Sequence, residues 1–264
     1  MEAWKGLFKK EWVIMKWKVI ALILVNVAIA IISVSPVYSK VPKDFILESQ
    51  FFRDVWILIH LIIGLLLLYQ SLGREMNRAD IWLHSPVSIG KLVGAKGLFS
   101  AFIVTCSLLV CGTIVGVFYY VGGGTVPISA GVVLLFSAIA AIFLSSIYVM
   151  GVGFFFWSID QVGNSRIGWF SILITLGLFR VWAYFGKYLY SSKVIGMIKD
   201  VGTIQITGSI SFFEENYIFE NNYFFWGFFP EGALLSIGSF VLFALFTVIY
   251  FAFGSILFEK KVRL

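Results

Sequence analysis

The stretch SLGREMNRADIWLHSPVSIGKLVGAK, from Ser71 to Lys96, decides how this chain is organised. It is a long polar segment, rich in basic residues, between two apolar runs, Val55 to Tyr69 and Leu98 to Val121. A bilayer core of about 30 Å is crossed by roughly 20 apolar residues, so each run is read as a membrane span with some slack at its ends. The polar segment is therefore predicted to be a docking element that a soluble partner can reach.

The composition of the chain is that of a membrane protein. Of its 264 residues, 60% are hydrophobic and only 13% are charged, and the mean hydropathy is +0.95. Soluble domains carry roughly 25% charged residues. The two cysteines, Cys106 and Cys111, lie in one apolar run. That position argues against a disulfide framework and is typical of small packing residues.

Apolar length and punctuation predict a single all-helical membrane domain, residues 1–264, with six spans. The spans are Val19–Ser35, Val55–Leu72, Leu98–Val121, Ser129–Trp157, Ile167–Phe185 and Glu231–Phe258. Tight turns are predicted at Gly122–Pro127 and Ser158–Arg166, and a longer segment, residues 186–230, precedes the last span.

The N-terminal residues 1–18 have the pattern of an amphipathic elbow helix in the headgroup plane. Apolar residues, among them Trp12 and Met15, share one arc, and most of the lysines fall on the other side. Glu11 is an exception, because it lies within the apolar arc. A simpler interpretation, a basic flank that orients the first span, is compatible with the first.

Orientation follows from the basic residues, since Lys and Arg near span ends are retained in the cytoplasm. The side that holds both termini and the segment 71–96 carries thirteen basic and six acidic residues, and the other side carries six basic and eight acidic residues. We therefore expect a multi-pass protein of the cell membrane with both termini in the cytoplasm.

The docking segment contains the features of a short helix with an apolar tip. Pro86 ends this helix, and Ser88 is placed to cap the next one. An exposed aromatic beside mixed charges is typical of an anchor that inserts into a partner's groove. The alternative is an interfacial loop in which Trp82 lies among headgroups. The candidate contact residues are Arg74, Glu75, Arg78, Asp80, Ile81, Trp82, Leu83, Ser85 and Pro86.

On these residues the chain resembles the permease subunits of type 2 ABC exporters. The specific part is Gly73-Arg74-Glu75, then Leu83 to Ser88, then Lys91-Leu92 and Lys96. The resemblance implies that 71–96 is a coupling helix region, that residues 1–18 are an elbow helix, and that permeases work in pairs of the same or related subunits. It also implies that ATP and Mg are bound on separate ATPase subunits. The stretch Asn77 to Ile81 departs from the family pattern.

The chain has no phosphate-binding motif of its own. No G-x-x-x-x-G-K-[ST] sequence occurs, and the triple glycine at 122–124 has no following Lys-Ser/Thr. We therefore expect no enzyme activity, no catalytic residue, no bound cofactor or metal, and no nucleic-acid partner for this chain.

Three polar residues within the spans are candidates for a cargo pathway: Arg180, His60 and Asn26. Intramembrane charges usually face the bundle interior, pair with one another or reach the interface. Arg180 is therefore either a contact for an acidic group of the cargo or the partner of an outward acid such as Glu214. His60 and Asn26 are more simply interhelical hydrogen-bonding residues.

The segment 186–230 is too long for a simple turn, so we expect it to fold. Tyr188–Asp200 is predicted as a short helix, Thr203–Ile210 as a strand and Asn222–Gly232 as an aromatic anchor or re-entrant turn. In the family that the chain resembles, this region forms short re-entrant helices at the outer mouth.

The function expected from this reading is ATP-driven export of a hydrophobic or amphipathic cargo, such as an antimicrobial or toxin-like peptide, by alternating access. One alternative is a self-powered carrier or channel, which requires intramembrane acids for coupling. The spans contain essentially none before Glu231, at the edge of the last span. The other alternative is a non-transporting immunity or sensor protein of the same fold.

Overall fold

A computed structural model of the protein describes residues 2–34, 46–76, 88–121, 128–204, 228 and 235–262. Within these ranges the chain forms seven helices and one pair of two-residue strands. The helices are α1 (Glu2–Val34), α2 (Ile46–Met76), α3 (Ile89–Val121), α4 (Ile128–Ile167), α5 (Phe170–Tyr190), α6 (Lys193–Lys199) and α7 (Ile237–Val262). The strands, β1 (Thr203–Ile204) and β2 (Leu235–Ser236), pair antiparallel.

Six of these helices, all except α6, are long and apolar enough to cross a membrane. Each predicted span overlaps one of them, so the prediction of a six-span helical membrane protein is confirmed at this level. The protein is therefore a multi-pass membrane protein. The first five of these helices are longer than the predicted spans, because polar residues at the ends of a span can remain helical outside the apolar layer.

The predicted elbow helix, residues 1–18, is not a separate element. Residues 2–18 form the first half of α1, which continues to Val34. Between Gly6 and Val34 the sequence contains neither glycine nor proline, so nothing in it breaks the helix where the lysines end. The location of this half at the membrane surface stays a prediction.

The predicted turn at Ser158–Arg166 is wrong, because α4 continues through it to Ile167. The helix ends instead at Gly168, which has a φ of +60° and whose N–H donates to the carbonyl of Asn164 at 3.1 Å. A glycine in the left-handed conformation is a common end for a helix. The polar residues of this stretch mark the end of the apolar layer, and only the glycine ends the helix.

α7 lies alongside α4 in the same direction, through a row of aromatic contacts. Phe154 stacks on Phe251 with ring centroids 5.5 Å apart, and further along Trp157 lies 5.2 Å from Phe258. Glycines allow the close approach. A Cβ on Gly151 would lie 3.3 Å from a backbone carbonyl of α7.

The other long helices also pack within this chain. On α3, a Cβ at Gly112 would lie 3.0 Å from both Leu135 and Ile139 of α4, so this small residue serves contact between helices of one chain. α2 contacts α4 where the hydroxyl of Tyr69 donates to the carbonyl of Gly153 at 2.6 Å. α5 packs mainly on α4 and leaves most of its own surface exposed.

The region before the last span is folded where the structure describes it. The predicted helix at Tyr188–Asp200 is found in shorter form as α6, with Ser192 at its N-cap, and the predicted strand is confirmed for Thr203 and Ile204. Phe228, from the predicted aromatic anchor, is buried against Tyr148 and Tyr190. Residues 205–227 and 229–234 lie outside the described residues.

Candidate functional site at the base of the coupling segment

Residues 77–87, the middle of the predicted coupling segment 71–96 and hereafter called the segment, connect α2, which ends at Met76, to α3, which begins at Ile89. The two helix ends pack together there, since Leu72 and Val93 share one buried cluster with Phe258 of α7. Ser88 directly precedes α3, as predicted for a cap, and its carbonyl accepts from the N–H of Leu92 at 3.1 Å.

The structure describes two of the nine predicted contact residues, Arg74 and Glu75, and places both in the last turn of α2. The other seven lie outside the described residues: Arg78, Asp80, Ile81, Trp82, Leu83, Ser85 and Pro86. Their role in coupling stays a prediction.

A buried ammonium group joins three helices directly beneath the segment. Nζ of Lys96, on α3, lies 2.5 Å from Oε1 of Glu11 on α1 and donates to Oγ of Ser71 on α2 at 2.5 Å. It also lies 3.2 Å from Oε1 of Glu75. Lys96 and Glu11 are each only 3% exposed. An ammonium has three donors, so this one has an oxygen for each.

Both oxygens of Glu11 and one oxygen of Glu75 have partners in this junction. Oε2 of Glu11 accepts from the hydroxyl of Ser71 at 2.6 Å, while Oε1 of Glu75 accepts from Lys10 at 2.5 Å. Two lysines and two glutamates therefore balance in charge. We call this group, Lys10, Glu11, Ser71, Glu75 and Lys96, the ammonium junction.

An ion pair as buried as Lys96 and Glu11 is poor evidence for a gain in stability, because desolvation costs several kcal/mol per ion. Apolar side chains of the same volume often stabilise a protein equally well. What the pair does supply is specificity, since each charge is satisfied only in one arrangement of the three helices. Moving α1 away from α2 and α3 would leave a charge buried without a partner.

The position of one acidic residue in the sequence pointed to a buried ion pair, but the prediction did not use it. Glu11 lies in the apolar arc of α1, and an acid on a buried face requires a buried cation. The sequence did not say which lysine would supply it. Lys96 lies 85 residues away, and only the packing of α1 on α3 brings it to Glu11.

Two exposed contacts add to the attachment of α1 to α2. Nζ of Lys18 donates to Oε1 of Gln70 at 2.5 Å, and Nη1 of Arg74 donates to the carbonyl of Ile14 at 3.3 Å. Arg74, a predicted coupling residue, is thus already in contact with the neighbouring helix.

Two of the predicted pathway residues, Asn26 and His60, meet at one serine inside the bundle. Nδ2 of Asn26 donates to Oγ of Ser107 at 3.0 Å, and Nε2 of His60 lies 3.1 Å from the same oxygen. Both side chains are buried, with exposures of 1% and 0%. Their prediction as interhelical hydrogen-bonding residues is confirmed. In this arrangement they join α1, α2 and α3.

The third pathway candidate, Arg180, is placed apart from them. It lies at the middle of α5 and is exposed, whereas its neighbours Phe179 and Trp182 pack against Phe156 of α4. Within the described ranges no ion pair or hydrogen bond of Arg180 is found, and Glu214, its predicted alternative partner, lies outside them. Inside a membrane, a charge at this position needs contact with a polar or charged group.

Comparison with protein-family models, with curated proteins and with solved structures found no match for this chain. Its function has to be inferred from its own residues and their geometry.

Proposed function

We propose that the chain is the transmembrane permease subunit of a type 2 ABC exporter, driven by ATP on separate ATPase subunits. The proposal starts from the family-like residues Gly73-Arg74-Glu75 and Leu83 to Ser88, which lie in and beside the connection between α2 and α3. The observation that carries it is the ammonium junction. A segment used to receive force needs a base that moves as one body, and the junction joins the helices on both sides of the segment to α1.

The junction lies close to where the force would enter. Glu75 is two residues before the segment begins, and Lys96 is seven residues into α3, about 10 Å along the helix at 1.5 Å per residue. A partner that displaces residues 77–87 would therefore act on α2 and α3 together. Glu11 keeps its contact with Lys96 only if α1 moves together with α2 and α3, so α1 is expected to tilt with them. Closure of the ATPases would in this way open the bundle toward the opposite side.

The cargo is expected to be hydrophobic or amphipathic, and we propose that it carries an acidic group. α5 exposes most of its surface, including Arg180 at its centre. A guanidinium inside a membrane is stabilised by a carboxylate or phosphate, with which it forms paired hydrogen bonds. Arg180 is accordingly proposed as a contact for such a group during passage.

A self-powered carrier would need an intramembrane acid that can gain and lose a proton or sodium ion. Glu11 is a buried acid within the stretch Lys5–Ile29, which is apolar enough to be a span. Both of its oxygens are already occupied, by Lys96 and by Ser71. That arrangement favours a permanent structural pair over a coupling site, so the exporter remains the better supported function.

The proposal is tested by purifying the protein from its native membrane in mild detergent and measuring ATP hydrolysis in the preparation. We expect a nucleotide-binding subunit to accompany it, and we expect Trp82→Ala to remove that subunit and its activity. The matched control is Trp226→Ala, which changes a tryptophan predicted to lie on the other side of the membrane. It should retain both.

Two results would overturn the proposal. One is a preparation that transports cargo with no ATP-hydrolysing subunit. The other is labelling of a cysteine at position 82 only by reagents added outside the cell, because a coupling segment has to face the cytoplasm.

A further inference from the structure

The outward face of the first half of α1 carries a row of lysines. At 100° per residue, Lys5, Lys9 and Lys16 fall within about 40° of one another around the helix. Trp12 was predicted to lie in the apolar arc opposite the lysines, but it lies beside them on the exposed side. Lys5 and Lys9 are exposed, and so is Trp12 at 46%. In the described part of the chain none of these three lysines has an ion pair. We call this face the lysine row.

Around Lys9 and Lys16 the fold leaves the lysine row without a described acidic partner. Between Lys5 and Lys18 the only acidic residue is Glu11, and the ammonium junction turns it inward to Lys96. The nearest acid on α2, Glu75, accepts from Lys10, which lies outside the row. The two described glutamates nearest to Lys9 and Lys16 are therefore paired with other lysines, while Glu2 lies at the N-terminal end of the row, three residues before Lys5.

Further along the helix the exposed residues are apolar and turn gradually away from the row: at 100° per residue Ile20 lies about 20° from Lys9, Leu24 about 60° and Trp17 about 80°. Trp17 is 73% exposed, with Nζ of Lys16 lying 5.7 Å from the centre of its ring. Ile20 and Leu24 follow and are also exposed. From Lys16 to Leu24 the helix rises about 12 Å, which fits within one half of a bilayer core of about 30 Å. Basic groups followed by apolar side chains over this length match the head and tails of a phospholipid.

We propose that the lysine row and the apolar residues below it form a binding site for an anionic phospholipid. Lys9 and Lys16 contact the phosphate and the charged headgroup, Trp17 lies at the interface, and Ile20 and Leu24 contact the acyl chains. Amphipathic helices with lysine and tryptophan on their membrane-facing side bind anionic lipids through this combination of charge and apolar area. A free phosphate ion would use the lysines and leave the apolar part uncovered.

Lipid binding at this site requires neither an ATPase nor a cargo, so its test is independent of the exporter proposal. The site lies at the same height along α1 as Glu11, on the opposite face of the helix from the ammonium junction. A lipid held there would keep the outer face of α1 at the headgroup layer while the inner face is held by Lys96.

The experiment is a titration of the detergent-purified, full-length protein with palmitoyl-oleoyl-phosphatidylglycerol, with bound lipid counted by native mass spectrometry. We expect tighter binding than for the matched phosphatidylcholine. Lys9→Gln/Lys16→Gln should weaken binding of the anionic lipid about 30-fold, from about fivefold for each lysine near an anionic surface. Lys9→Arg/Lys16→Arg, which keeps the charges, should stay within about twofold of the wild type.

The matched control is Lys187→Gln/Lys193→Gln, which removes one lysine in the last turn of α5 and one at the start of α6, and it should leave the affinity unchanged. Inorganic phosphate at the same concentration should not displace the lipid. If the double variant cannot be purified, each single variant should show the fivefold loss. Equal binding of the two lipids, an unchanged affinity in the Gln variants, an equal loss in the control, or displacement by inorganic phosphate would each overturn the site.

Discussion

Replacing Lys96 by methionine tests the ammonium junction most directly. The substitution removes the positive charge and leaves an apolar chain of similar length. Glu11, which is 3% exposed, then retains only the hydroxyl of Ser71 at 2.6 Å. Removing one partner of a buried ion pair costs about 3–5 kcal/mol, because the remaining charge stays buried without a partner. We expect a loss of that size in the free energy of unfolding.

Replacing Glu11, the other member of the ion pair, by glutamine should lower the free energy of unfolding by less. Lys96 would still have Glu75 at 3.2 Å and the oxygen of Ser71 at 2.5 Å. We expect about 1–3 kcal/mol, the range for a buried polar group that loses one partner. The double variant Glu11→Gln/Lys96→Met contains no unpaired charge at this position. It should therefore be more stable than Lys96→Met alone, although each substitution by itself destabilises the protein.

The assay is thermal unfolding of all four proteins in the same detergent at one scan rate. At roughly 2–4 °C per kcal/mol for a chain of this size, Lys96→Met should lower the midpoint by about 10 °C. Lys193→Met, at an exposed position on α6, is the control and should stay within about 2 °C. The reasoning is refuted if Lys96→Met behaves like this control, or if the double variant is as unstable as the sum of the two single variants.

Three further substitutions test other contacts. Ser107→Ala removes the oxygen shared by two buried side chains and should destabilise the protein by about 1–3 kcal/mol; an unchanged unfolding midpoint would contradict the hydrogen-bonded triad. Gly238→Ala places a Cβ onto a backbone carbonyl of α6 and should cost at least about 1–3 kcal/mol, whereas Gly196→Ala, with open space around it, should be neutral; similar behaviour of the two would argue against the contact between α6 and α7. Arg180→Ala should leave stability unchanged, because the side chain is exposed, and should reduce export; normal export would remove Arg180 from the cargo pathway.

The membrane class could be predicted because it depends on composition and length alone. Six apolar runs long enough to cross a bilayer have few alternatives to helices in lipid, where every backbone group must find its hydrogen bond within the segment. Short polar stretches between the apolar runs predicted the ends of the helices less well. Ser158–Arg166 is polar enough to suggest a turn, yet polar residues are compatible with a helix outside the apolar layer, and α4 ends only at Gly168.

For the polar residues inside the bundle, the sequence predicted hydrogen-bonding residues but not their partners. Asn26 and His60 were each recognised as hydrogen-bonding candidates, but Ser107, which joins them, was not. A serine in an apolar run has no distinguishing pattern, since it also fits as a small packing residue. Arg180 was predicted to face inward, pair or reach the interface, and the structure exposes it on a helix that packs along one side only.

By itself, the sequence determined that this protein has six membrane-spanning helices, because the free energy of transfer into lipid is set by each apolar run alone. It also predicts that most of the basic residues lie on one side of the membrane. Only the tertiary structure decided that Glu11 meets Lys96, and that neither Glu11 nor Glu75 pairs with Lys9 or Lys16. Ion pairs between residues far apart in the chain depend on how the helices pack, and that packing is set by the side chains of several helices at once.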